Sequence, residues 1–184
     1  MSPSPLEGRF PLTGQPVPVR VDGRTRYAWW GQDRDGNDCL ATRGGRLEVA
    51  DSEAGIRDAA TSYGWEATSE EAPGEGVADE AEDAVVIDVD EVRAWLSHAG
   101  RAVPVVAALN VWNLAIDVAY SLGRVRGDRG FWADRAYDKL FAANVPWALG
   151  LAAYRPRWTS QELTALRRIE GEAVGLLRTT LTGV

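Results

Sequence analysis

Two periodicities divide the chain. From residue 16 onward apolar and polar positions alternate, so PVPVRV (16–21), TRYAWW (25–30), CLAT (39–42) and RLEVA (46–50) each read as a strand. Asp22-Gly23, the dense GQDRDGND (31–38) and Gly44-Gly45 supply the turns between them. Pro18 has no amide to give a neighbouring strand, which argues for an edge position. The pattern predicts an antiparallel meander of three or four strands. At Asp51-Ser52 the period lengthens: Ile56, Ala59, Ala60 and Tyr63 recur at helical spacing until Gly64 stops them, and Trp65 is expected to pack beneath the sheet.

The second half is helical throughout. VVIDV (85–89) is a short strand or an extended approach, after which Asp88 or Asp90 caps a helix whose stripe is Val92, Trp95 and Leu96. VPVVAALNVWNLAIDVAYSLG (103–123) is apolar almost all round and should be the central element of the fold. A basic, Gly-rich loop, GRVRGDRG (123–130), leads to a helix over 131–145, which Pro146 ends. Residues 147–158 read as irregular. Thr159 and Glu162 match the capping-box spacing for a final helix, whose buried face runs Leu163, Leu166, Ile169, Ala173, Leu176, Leu177 and Leu181. The expected fold is α+β, with an N-terminal antiparallel sheet and one helix (16–65) and a connector (66–84). A mostly helical half (85–184) of about four helices follows. One cooperative domain is expected, because neither half has a self-sufficient core.

Charge sharpens the middle of this map. The chain has 184 residues and a net charge of −7, yet residues 66–91 alone hold 11 acidic side chains and no basic one. Residues 92–184 carry a net +5. The connector has one large aliphatic residue, Val77, so it cannot bury enough apolar area to offset its ordering entropy. Either it is a solvated link, or it is an anionic arm that engages a basic partner through Glu70, Glu71, Glu75, Asp79, Glu80, Glu82 and Asp83. Such an arm repels phosphates, so no nucleic-acid partner is expected. No apolar run approaches the length of a membrane span and no secretory leader is visible, so a cytoplasmic protein without a membrane partner is expected.

Candidate chemistry is sparse. The single cysteine, Cys39, rules out an intrachain disulfide and reads as a small core residue. His98 is the sole histidine and falls at a helix end, where a surface or capping role is expected. No metal, no cofactor and no catalytic residue is expected. Asp33 to Asp38 invites a calcium reading, but Gly36 stands fourth and Gly44 twelfth, so the EF-hand pattern fails and a tight turn is the better account. Neither P-loop nor dinucleotide fingerprint occurs. One polar group stands out inside the apolar helix. Asn110, Asn113 and Asp117 share a face, and Tyr137, Asp138 and Lys139 (the only lysine) cluster on the next helix. These six form either a ligand pocket or a structural network between the two helices. Trp29 and Trp30 are adjacent, so in a strand they point to opposite faces and only one can face a shared core; the other, Trp30, either packs elsewhere in the chain or marks a partner-binding face.

YAWWGQDRDGNDCLA, IDVDEVRAWL, ALNVWNLAIDVAYSLG, AYDKLFAANVP and RWTSQELTALRRI, in this order, resemble a group of small actinobacterial proteins with patterns similar to LLNAWNLFxD and YDKLFxGNNLP. AANVP keeps one of that pattern's two amides, Asn144. With 19 Arg to one Lys, the residue usage also fits a GC-rich, actinobacterium-like genome. The compact, acidic, cysteine-poor style resembles immunity proteins of polymorphic toxins. The resemblance implies a non-enzymatic inhibitor that neutralises a basic toxin domain by protein–protein contact. The alternative is a small-molecule binding protein or unusual enzyme using the six polar residues on the 103–122 and 131–145 helices.

Overall fold

The structure, a computed structural model, describes residue 11 and residues 13–68 and 85–183. β1 (Thr13–Val21) and β2 (Arg24–Gln32) form a long hairpin paired from Thr13↔Gln32 to Val21↔Arg24. Its turn residues, Asp22 and Gly23, both have positive φ (49° and 74°), a conformation that follows the strand twist and that Asp and Gly tolerate. The outer side of β2 takes β3 (Asp38–Leu40) and then β6 (Val49–Ala50). Between those two, β4 (Thr42–Arg43) and β5 (Arg46–Leu47) pair with each other.

The outer side of β1 is where the fold departs from a simple meander. β7 (Glu66–Ala67) pairs in parallel with Thr13 and Gly14, and β8 (Ile87–Asp88) pairs in parallel with Val19 and Arg20. Residues 66–67, expected in the connector, therefore belong to the sheet, and β1 is an interior strand. Pro18 is tolerated because positions 15–18 fall between the two parallel pairings. Gly14 accepts from the Thr68 amide (2.8 Å) on that side, so by strand alternation Pro16 and Pro18 turn their missing N–H groups toward the gap and not toward β2. Opposite one another in the hairpin stand Gly14 and Gly31. A Cβ on Gly31 would lie 1.8 Å from the Thr13 carbonyl oxygen, so the strands come together only because that position has no side chain.

Both faces of the sheet are covered. α1 (Glu53–Tyr63) is capped by Ser52, whose Oγ accepts from the Gly55 amide, and ends at Gly64 in the left-handed region. It lays Ile56 and Ala60 against Trp29 and Ala41. On the opposite face, Val17, Val19, Val21, Ala28 and Leu40 join one buried cluster with residues of four helices: α2 (Val89–Leu96), α3 (Val105–Ser121), α4 (Phe131–Asn144) and α5 (Ser160–Thr182). A short 3-10 turn, Pro146–Leu149, follows α4. The architecture is α+β, with the sheet as the middle layer. As strand alternation requires, Trp29 and Trp30 face opposite sides of this layering, and each meets a core. Trp29 is buried under α1 and Trp30 packs, half-buried, toward the bundle.

The hairpin turn is gripped from the helical side. Asp90 accepts from the Asp22 and Gly23 amides (3.0 and 2.7 Å), while Asp22 pairs with Arg93 (2.6 Å) and Arg178 (3.0 Å). Asp88, the other candidate cap, accepts from Glu91 N and starts α2.

Candidate functional site

The polar face of α3 meets β2 and α4. Asn113 Oδ1 accepts from the Tyr137 hydroxyl (3.0 Å), and the Tyr137 ring stands edge-on to Trp112, 5.4 Å between centroids. One turn on, Asp117 faces Trp30 and Asp38. Burial, and then the negative charge of Asp38, raise its carboxyl to about 7 from an ordinary 3.8, although the Trp30 indole draws it down. That indole N–H is itself buried, and its approach to the carboxyl falls short of a well-formed hydrogen bond. Further along, Tyr120 donates to Asp33 (2.7 Å) and Ser121 Oγ accepts from the Leu40 amide (2.8 Å), docking the β2–β3 turn onto the helix. Asp33 is a turn builder: its Oδ1 accepts from the Asp35 and Asn37 amides.

Beside this face lies a cleft of about 370 Å³, walled by Gln15 to Pro18, Trp30, Val85, Ile87, Asn110, Asn113 and Leu114. It opens at the gap in β1's pairing. The structure thus brings Asn110, Asn113, Asp117 and Tyr137 together with Trp30. It takes Lys139 elsewhere and leaves Asp138 exposed.

Lys139 serves a second centre. Its ammonium donates to Glu162 (2.6 Å) and to the Arg157 carbonyl (2.6 Å) and lies 5.8 Å from the Trp158 ring centroid. Glu162 has no exposed surface. It also accepts from the Thr159 amide (2.8 Å), closing the capping box, and from Arg135 (3.2 Å). Desolvation works to raise the Glu162 pKa, but Lys139, Thr159 and Arg135 outweigh it and bring the carboxyl down to about 2. This centre staples α4 to α5.

A third polar group was not anticipated. Glu170 is fully buried on α5, and neither of its carboxyl oxygens has a partner. Burial holds it well above the ordinary glutamate range, with Arg126 pulling down and Asp128 pushing up. Arg126 makes two bonds to Asp128 (2.6 and 3.0 Å), so the basic loop turns this guanidinium inward as a neutralised pair. The signal was present in sequence: 170 falls on the same stripe as Leu166, Ala173 and Leu177.

The remaining candidates are structural in their contacts. Cys39 is buried. His98 donates from Nδ1 to the Ala94 carbonyl (2.8 Å) at the end of α2. Asn144 donates to the Val105 and Leu140 carbonyls, tying the end of α4 to the start of α3. Glu70, Glu71, Glu75, Asp79, Glu80, Glu82 and Asp83 lie outside the described residues. Among the described residues no group of three or more His, Cys, Asp or Glu is placed to hold a metal, and no helix is long and apolar enough to cross a membrane.

One surface stands apart from these centres. Where α4 ends, Phe141, Trp147, Leu149 and Leu151 are all exposed, Trp147 to 71%, and the 3-10 turn that carries two of them has no buried residue. Val106, also exposed, lies beside the carbonyl that Asn144 holds. No protein-family model matches the chain, and neither the curated proteins nor the solved structures contain a significant match to it.

Proposed function

We propose that the chain is a non-enzymatic binding protein whose partner is another protein, and that it acts as an immunity-type inhibitor of a basic toxin domain. The observation that carries this reading is the apolar surface at the end of α4. A tryptophan with most of its area in water, accompanied by two leucines and a phenylalanine, marks a docking surface more often than a structural one. Arg155 and Arg157 follow it in the sequence, so attraction of a basic partner would come from the acidic segment and affinity from the aromatic surface. That division is physically reasonable, because exposed charge acts mainly on the rate of encounter and buried aromatic area on the lifetime of the complex.

The test is co-expression with the product of the adjacent gene, scored as growth. Rescue by the wild-type chain, lost in Trp147→Ala/Leu149→Ala at unchanged melting temperature, is the expected result. Equal toxicity with and without the chain overturns the immunity reading. Full rescue by the double variant removes the α4 surface from it.

A further inference from the structure

We infer that the cleft between β1, β2 and α3 is a small-molecule site for a neutral, planar ligand bearing a lactam or carboxamide edge, such as a nucleobase carries. Asn110, Asn113 and Gln15 would read that edge against the Trp30 wall. The inference is independent of the protein-partner reading, which rests on the α4 surface.

The volume, about 370 Å³, falls at the lower end of small-molecule pockets. The walls suit an uncharged guest. Val17, Leu114 and Ile87 are apolar, Trp30 offers an aromatic surface, and among the described lining residues the polar side chains besides that indole are amides. Nor would an anion be welcome, since no basic side chain is among the described lining residues.

The amides have an assignable orientation. Asn113 spends its oxygen on the Tyr137 hydroxyl, which leaves its NH₂ to donate. Among the described residues no hydrogen bond engages the Asn110 or Gln15 side chains, so both a donor and an acceptor remain uncommitted there. A ligand matching them needs an acceptor for Asn113 and an adjacent donor–acceptor pair for Asn110 or Gln15. A carboxamide or lactam edge has this arrangement, and it is the reason amide side chains pair with base edges in nucleic-acid recognition. A sugar hydroxyl array offers the same atoms without the planar edge. Tyr137 is a positioning residue here, because it fixes which end of Asn113 faces the guest.

The experiment is a titration of ¹⁵N-labelled full-length chain with uridine, nicotinamide, N3-methyluridine and methyl β-glucoside. The Asn and Gln side-chain NH₂ signals and the Trp30 indole signal are followed. Saturable shifts at Asn110, Asn113 and Trp30 with uridine or nicotinamide are expected. N3-methyluridine, whose edge has lost its donor, should bind roughly tenfold more weakly than uridine. Asn110→Ala should weaken binding by a similar factor at nearly unchanged melting temperature, because among the described residues no hydrogen bond of the fold engages that side chain. Tyr137→Phe should broaden or shift the Asn113 NH₂ signal before any ligand is added and weaken binding less. Absence of saturable shifts for both uridine and nicotinamide up to about 10 mM overturns the assignment. Equal binding of N3-methyluridine or of the glucoside overturns the edge-reading chemistry. None of these outcomes touches the Trp147 surface, so the two proposals fail separately.

Discussion

Replacing Asp117 with Asn should stabilise the protein in a pH-dependent way. The carboxyl is raised on folding to about 7 from an ordinary 3.8, first by burial and then by Asp38. A carboxyl raised on folding has its full stability below the ordinary value and loses it as pH climbs toward the folded one. The Asp117 contribution to wild-type stability should therefore fall steadily from about pH 4 to about pH 7 and level off above. The gap of roughly three pH units sets a ceiling of about 4 kcal/mol, at about 1.4 kcal/mol each. Asp117 keeps some contact with solvent, so screening brings the expected value to about 2–4 kcal/mol. Asn keeps the shape and has no charge to desolvate. Urea unfolding of both chains at intervals from pH 4 to 8 reads the difference directly. The two midpoints should coincide near pH 4 and separate by about 1–2 M urea at pH 8, given typical denaturant slopes. Parallel curves with a constant offset would show that Asp117 titrates normally in the fold, and the account of its environment would be wrong.

Other substitutions follow from the same geometry. Gly31→Ala should abolish cooperative unfolding by circular dichroism, since its Cβ would fall 1.8 Å from backbone, whereas Gly175→Ala, in open space on α5, should raise stability by about 1 kcal/mol. Lys139→Met should cost about 2–3 kcal/mol in chemical denaturation at pH 7, Arg135 retaining part of the pairing. Because Glu162 is lowered to about 2, that penalty is present above pH 4.5 and should shrink as pH falls toward 2. Glu170→Gln should flatten a decline in stability that wild type shows as pH rises above about 4.5, because a buried carboxyl raised on folding loses its contribution in that direction. An unchanged slope in the variant would mean that Glu170 ionises freely.

Local signals in the sequence marked most elements, and long-range signals were the ones it lacked. The Asp-Gly turn, the Thr159–Glu162 box and the central helix each depend on neighbours a few residues apart, so pattern sufficed. The parallel strands β7 and β8 have two residues each, too few to show a period, and their partner lies on β1 some fifty to seventy residues away. Pro18 marks an edge in the sequence pattern because a gap within a sheet leaves the same trace as its border. Five of the six polar residues separated into two centres for a similar reason, with Asp138 left exposed. Spacing puts side chains on a common face, but Lys139 followed Glu162, whose position on α5 only the packed bundle reveals. The raised carboxyl of Asp117 was equally invisible, because it comes first from burial in the packed fold and then from Asp38, which arrives beside it through the β2–β3 turn.

The grip on the Asp22 turn has a consequence for biosynthesis. Arg178 closes that grip from a position 156 residues downstream. α5, which also packs on α2, α3 and α4, begins at Ser160, long after Val21 has been made. At about 5–20 residues per second, the interval between finishing β1 and starting α5 is roughly 7–30 s. For that time the hairpin's valine face, covered in the native chain by the helical bundle, has only nascent helices against it. The exposure is a property of chain order, not of stability. A circularly permuted chain that places α5 ahead of β1 would keep every native contact while shortening that wait, and should show less aggregation during synthesis at the same melting temperature.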